Sequence, residues 1–305
     1  MGKIIKNYMS FYKNITIIIV SYESEKLIIQ NLETLKKFPT IIINNSKSNK
    51  FLPLISNFKN IKLITPDLNL GYGKANNLGV NKSKTPYVLI VNPDILLNEQ
   101  LINTLYSTFI NYNDDIGVVG PALYDSNMKR RTNGSISHIK KIRGRKLYNS
   151  INNIPEGNMC CDFLVGCCLF IKRDFFIELG GFDKDFFMYF EDNDLCDRII
   201  KKGKTIIEVP SAKVIHLENS SSKKNSFQNS KLSIIHKISE YIYLKKKISL
   251  INLIIIIAKH VVDYFQRFVF NLLIFRFNKS FKNFLRLMSI FLYITMLHKL
   301  FFKLF

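Results

Sequence analysis

The chain has 305 residues, 47% of them hydrophobic and 25 of them Phe, which is enough apolar material for one large domain plus an appendage and too much for a disordered polymer. Its formal charge of +21 is unevenly placed: from Lys223 onward fifteen Lys/Arg stand against Glu240 and Asp263, a net +13 in 83 residues, so any polyanionic partner is to be sought in the tail. The cysteines, Cys160, Cys161, Cys167, Cys168 and Cys196, form no CxxC pair and are odd in number, a usage that fits reduced thiols better than a disulfide framework or a zinc site.

Residues Met1 to Asn14 carry Lys but no apolar run of the kind a cleavable signal requires, so the active site is expected to face the cytoplasm. From Ile15 onward, β-branched runs alternate with helical patterns: Ile15–Ser21, a helix over Ser24–Lys37, Thr40–Asn44, Ile61–Ile64, a helix over Lys74–Asn81, Tyr87–Val91, a helix over Asn98–Asn111, and Ile116–Gly120. Runs such as ITIIIV and YVLIV are apolar on both faces, which predicts a mostly parallel sheet with helices on each side. Ligands of such sheets bind beyond the carboxyl ends of the strands, so Tyr22, Asn44, Asn45, Asn92 and Asp94 stand out.

All 13 Gly and all 8 Pro lie at or before Pro210, which predicts two domains, 1–222 and 223–305. In the second, the uncharged stretches Ile248–Ala258 and Leu287–Leu297 have 11 residues each, whereas a spanning helix needs about 20. Lys259, Asp263, Gln266 and Arg267 recur at helical spacing among Phe, Val and Leu, the pattern of a basic amphipathic helix lying on a membrane surface or packing as a bundle.

Three segments could carry chemistry. Pro93 ends an apolar strand and presents Asp94 at its mouth, where a carboxylate can ligate Mg²⁺ or Mn²⁺, although Asn-Pro-Asp also suits an ordinary turn. Gly71 and Gly73 allow close approach of a ligand to the helix that follows, without the Gly-Lys-Ser/Thr ending of a P-loop. Glu191, Asp192, Asp194 and Asp197 open a helix; Asp194 is placed to pair with Arg198 at i,i+4, Asp192 is placed to cap, and one of Glu191 and Asp192, beside the apolar run Phe186–Phe190, suits a general base. His216 closes the strand expected over Thr205–Val209, as a structural residue or as part of a metal site.

Taken together, these segments over Ile15–Leu217 resemble the inverting family 2 glycosyltransferases of GT-A fold, and most closely their rhamnosyltransferase-like branch. The resemblance implies a GT-A-type α/β fold with a C-terminal basic amphipathic helical region, and a nucleotide-sugar pocket formed by Ser21, Tyr22, Glu23, Asn44, Asn45, Asn69, Gly71, Gly73, Asn77 and Asn92. It implies Asp94 and His216 as ligands of Mg²⁺ or Mn²⁺, Asp192 as the base with Glu191 beside it, and Gly166 with Cys167 bordering the acceptor. Two positions depart from the family pattern: Asn44 stands where Asp is common, and Glu23 replaces a usual Asn, which leaves donor preference open. The implied activity is transfer of a sugar, rhamnose being the branch's example, to a glycan or lipid-linked acceptor in cell-surface polysaccharide synthesis, by a peripheral enzyme on the cytoplasmic face of the membrane.

Two other readings are a nucleotide-sugar-binding protein without transfer activity and a nucleic-acid binder using Lys245–Lys247. The intact Asp94, Asp192 and His216 weigh against the first, and the apolar tail favours lipid over nucleic acid. The segment from Tyr124 to Met159, with Arg130, Arg131, Lys140, Lys141, Arg143, Arg145 and Lys146, suits either an acceptor lid or a solvated basic loop.

Overall fold

The computed structural model describes residues 11–46, 52–55, 57–112, 115–131, 133, 157–217 and 226–303. In chain order the elements are β1 (Ile15–Ser21), α1 (Glu25–Gln30), α2 (Leu32–Leu35), β2 (Thr40–Asn44), α3 (Leu52–Ile55), β3 (Ile61–Ile64), α4 (Gly71–Lys82), β4 (Tyr87–Val91), α5 (Glu99–Asn111), β5 (Ile116–Tyr124), β6 (Arg130–Arg131), β7 (Met159–Cys161), β8 (Cys168–Lys172), α6 (Arg173–Glu178), α7 (Glu191–Lys201) and β9 (Thr205–Ile215). Four helices follow: α8 (Ser226–Lys247), α9 (Leu250–Leu273), α10 (Phe277–Ile294) and α11 (His298–Lys303). The chain forms two compact units, Met1–Asp183 with Glu191–Lys223, and Lys184–Phe190 with Lys224–Phe305.

The first unit is built on one sheet in the order β3-β2-β1-β4-β8-β5-β9-β7, with β6 paired to β5. The half containing β3, β2, β1 and β4 is parallel throughout. β8 enters antiparallel between β4 and β5, and β9 then runs parallel to β5. Both faces are covered, as the two-sided apolar runs predict. Ile15, Ile17 and Ile19 pack with Leu35, Phe38, Leu101 and Leu105, whereas Ile18 and Val20 face Ala75, Val80, Leu195 and Ile199.

The structure differs from the sequence reading at three places that shape the site. The helix expected over Ser24–Lys37 breaks at Asn31, whose buried amide donates to Ile95 O at 2.7 Å and accepts from Leu97 N–H at 2.7 Å. β5 runs past Gly120 and Pro121 to Tyr124, and β9 runs past Pro210 to Ile215. A register shift between Pro121 and Ala122 absorbs Pro210, which has no N–H for the ladder. α4 begins at Gly71, three residues before the expected Lys74, and Gly71 has φ +75, a conformation glycine takes without strain.

The second unit is helical. α8 buries Ile234, Ile235, Ile238, Tyr241, Tyr243 and Leu244, while α9 buries only Leu253 and Tyr264 of its 24 residues. A polar and aromatic seam holds the helices together: Tyr241 Oη lies 2.9 Å from His260 Nδ1, and the Lys237 ammonium and Arg286 guanidinium sit over the Tyr264 ring. Burial and the nearby Lys237 push the His260 pKa down. The large apolar side chains of α9, among them Leu250, Ile251 and Phe265, are therefore left on the outside. The unit differs from a single cut after residue 222 in taking up Lys184–Phe190, whose aromatic run stacks Phe187 on Phe302, sets Phe190 against Tyr243 and accepts a hydrogen bond from Ser239 at Met188 O. Among the described residues, no helix is long and apolar enough to cross a membrane.

Candidate active site

The site is assembled at the carboxyl ends of β1, β2 and β4. Beyond β4, Asn92 N–H donates to Cys167 O at 2.8 Å, and the chain turns through Pro93 to Asp94. The segment Asp94–Leu97 is then gripped from two sides. Asn31 and Thr34 hold Ile95 and Leu97, and the end of β9 supplies backbone bonds from Leu96 N–H to Ile215 O and from Leu217 N–H to Asp94 O. Ile95 and His216 thereby form an antiparallel bridge, and His216 Nε2 comes to 3.3 Å from Asp94 Oδ1. Residues 122 apart in the chain meet because β9 outruns its expected end.

Asp94 is 7% exposed, and its Oδ1 has no hydrogen-bond partner among the described residues. A buried carboxylate oxygen facing an imidazole nitrogen is a donor set that suits a divalent cation. Among the described residues no third His, Cys, Asp or Glu joins them.

The acid pair opens α7. Tyr189 and Phe190 both have positive φ, 72 and 66, and this paired left-handed turn delivers the chain into the helix at Glu191. Asp192, expected as a possible cap, lies inside the first turn. Its Oδ2 accepts from Gly166 N–H at 3.0 Å and its Oδ1 from Asn193 N–H at 2.8 Å. A Cβ on Gly166 would stand 3.2 Å from the Asp192 Cβ, so a larger residue would press on the carboxylate. Burial pushes the Asp192 pKa up against these hydrogen bonds, and burial followed by repulsion from Asp192 pushes the Glu191 pKa well up. Glu191 Oε2 is buried without a partner among the described residues. Asp194 pairs with Arg198 at 2.8 Å, the structural use its spacing predicts.

Ser21 and Asn44, expected in the nucleotide pocket, are register partners at the ends of β1 and β2. Ser21 Oγ and Asn92 Oδ1 are buried without partners among the described residues, and Asn44 Oδ1 accepts from the Ser46 hydroxyl at 2.7 Å. Tyr22 is 45% exposed, and Glu23 has φ 54. Other expected pocket residues build the scaffold. Asn45 accepts from Leu70 N–H and donates to Gly71 O, while Asn69 accepts from Gly71 N–H, so both shape the turn into α4. The Asn77 amide donates to Phe182 O at 2.7 Å and accepts from Phe182 N–H at 2.8 Å. It is a clamp 105 residues long in sequence, and Gly181, whose Cβ would strike it at 2.5 Å, has φ +68 to let it close. Gly73 lets α4 approach Phe182 and Glu191.

Several supports of the site carry no signal in the sequence. Tyr72 donates from its hydroxyl to Gly166 O at 2.5 Å. Asn133 donates to Pro121 O and accepts from Val165 N–H at 2.9 Å. Arg130, grouped with a basic loop, lies in β6 and pairs with Glu208 at 2.8 Å, both buried. Lys140, Lys141, Arg143, Arg145 and Lys146 lie outside the described residues.

The family model described as Glycosyl transferase family 2 matches residues 16–180, and one described as N-terminal domain of galactosyltransferase matches residues 156–220. The chain is 28% identical over 220 residues to the N-acetylglucosaminyl-diphospho-decaprenol L-rhamnosyltransferase of Mycobacterium tuberculosis, covering 62% of this chain and 68% of that one. It is 26% identical over 228 residues to the rhamnosyltransferase WbbL of Escherichia coli, covering 66% and 82%. Among solved structures, the mannosyltransferase PcManGT of Pyrobaculum calidifontis in complex with GDP-Man and Mn²⁺ superimposes with a TM-score of 0.53 at 13% identity, covering 79% of this chain and 66% of that one. That likeness shows the shared GT-A fold, and the chain spans just under two thirds of the solved protein. With the family model spanning more than half of the 305 residues, the chain belongs to glycosyl transferase family 2, as a rhamnosyltransferase-like member.

Proposed function

We propose that the chain moves a hexose, rhamnose by analogy with its relatives, from a nucleoside-diphosphate sugar to a lipid-linked glycan acceptor with inversion at the anomeric carbon, in the assembly of a cell-surface polysaccharide. The observation that carries this reading is a set of buried polar atoms that make no hydrogen bond among the described residues: Ser21 Oγ and Asn92 Oδ1 at the strand ends, Glu191 Oε2 at the start of α7, and Asp94 Oδ1, which faces only the His216 imidazole. Buried polar atoms in a native fold require partners, and a polar, phosphate-bearing ligand supplies them.

In the proposed reaction the acceptor hydroxyl attacks the anomeric carbon. Asp192 takes the hydroxyl proton, and the bond from that carbon to the diphosphate breaks with its electron pair leaving on the diphosphate. Asp192 suits the role because two N–H groups fix its orientation and burial raises its pKa, making it a stronger base than an exposed carboxylate. Asp94 and His216 would hold Mg²⁺ or Mn²⁺, which when bound supplies positive charge against the diphosphate. Glu191, whose pKa is pushed up by burial and by the neighbouring Asp192, lies beside the base.

The helical unit is proposed to rest on the cytoplasmic face of a membrane. Exposed Leu273, Phe275, Phe277 and Phe281 stand among Arg276, Lys279 and Lys282, a composition that joins apolar insertion with attraction to anionic headgroups. The test of the function is a screen of nucleotide sugars, dTDP-rhamnose among them, with prenyl-diphosphate-linked N-acetylglucosamine as acceptor and Mg²⁺ or Mn²⁺ present. Glycolipid product is expected; donor binding with no turnover on any donor would favour the inactive binding protein.

A further inference from the structure

We propose that Tyr72 is a positioning residue for the base, its hydroxyl holding the carbonyl of Gly166, the residue whose own N–H holds Asp192, and so tying the base to the helix that opens the donor side. The inference rests on the role of Asp192 proposed above. The geometry is a continuous path. Tyr72 Oη donates to Gly166 O at 2.5 Å, and the same residue's N–H donates to Asp192 Oδ2 at 3.0 Å. A carbonyl that accepts a hydrogen bond polarises its residue's surroundings and restrains the chain that carries the neighbouring N–H, so the first bond orients the second.

The two ends of the path are themselves fixed. The Tyr72 ring packs against Phe182 with centroids 5.8 Å apart, and Phe182 is clamped on both backbone groups by Asn77 of the same helix. On the other side Val165, next to Gly166, donates its N–H to Asn133. Gly166 therefore has little freedom to move unless Tyr72 lets go. Tyr72 also sits between Gly71 and Gly73, in the first turn of α4, so a donor seated against that turn would be in register with the base through a single side chain. The titratable groups that feel Asp192 are Glu191 and Cys196 on its own helix, Tyr72 from α4 and the Cys167 thiol ahead of β8.

The test is Tyr72→Phe in the full chain, which keeps the ring and removes only the hydroxyl. The expected result is a fall in kcat of about fivefold, the scale of one neutral hydrogen bond. The acid limb of the kcat–pH profile should move upward by about 0.3 pH units, because a loosened Gly166 N–H stabilises the Asp192 carboxylate less. A merely structural hydroxyl would lower the melting temperature and leave the profile in place. A profile superimposable on that of the unaltered chain, with kcat within twofold, overturns the proposal. Asp192→Asn run alongside separates the two claims: if that variant keeps its turnover, the base assignment itself falls, whereas an inactive Asp192→Asn with an unmoved Tyr72→Phe profile sinks the positioning role alone.

Discussion

Replacing Asp192 by Asn should remove turnover while the fold stands. The substitution is isosteric, but an amide offers one carbonyl oxygen where the carboxylate offers two acceptors, to Gly166 N–H and to Asn193 N–H. One of these donors must then face an NH₂ group, at a cost of about 1–3 kcal/mol. Removing a carboxylate whose pKa is raised by burial offsets part of that loss. The net destabilisation is thus bounded near 3 kcal/mol, or roughly 6–12 °C in Tm for a unit of this size. The kinetic effect is of another order, since one general base contributes about 10²–10⁴-fold, or ~3–5 kcal/mol of barrier. The assay is kcat at saturating donor beside a thermal melt and a calorimetric titration of donor, whose Kd should stay within about threefold because the base touches the acceptor rather than the nucleotide. A variant that melts normally and keeps kcat within about tenfold of the parent would refute the assignment.

Three further outcomes follow from the same geometry. Glu191 has a folded pKa above its unfolded one, so the folded state holds its proton more tightly and stability falls as pH rises between the two values; Glu191→Gln should match the parent in Tm at about pH 4 and exceed it increasingly toward neutral pH, and parallel melting curves across that range would contradict this. Asn77→Ala strands the N–H and C=O of Phe182, about 2–4 kcal/mol together, so it should lower Tm by roughly 5–15 °C; an unchanged melt would show that the clamp is idle. The full chain should float with anionic vesicles at low salt and less so at high salt, and Leu273→Asp with Phe275→Asp, at positions 70% and 79% exposed, should abolish flotation; retention of filter-bound RNA in place of vesicles would favour the nucleic-acid reading.

The parallel half of the sheet was legible because its strands are buried on both faces. Ile15–Ser21, Thr40–Asn44, Ile61–Ile64 and Tyr87–Val91 read as apolar runs and fold as strands with those bounds. Local spacing likewise set the Asp194–Arg198 pair. The supports of the site were not legible, because their partners lie far off in sequence and no period marks them. Asn31 breaks a helix to hold residues 64 to 66 positions away, and Asn77 holds Phe182 105 positions away, tertiary contacts that no local spacing announces. Arg130 illustrates the same limit from the charge side: a basic run suggests solvent, yet a buried Glu208 across the sheet makes the first of its residues part of the core. The meeting of Asp94 with His216 depended on β9 continuing past Pro210, which a proline ordinarily argues against.

The most direct test of a single displacement with Asp192 as base is the anomeric configuration of the product, read by NMR on material formed from a donor of known anomer. A single displacement gives the opposite anomer in the first product released. Retention of the donor's configuration would require two displacements and a glycosyl-enzyme intermediate, and would contradict it.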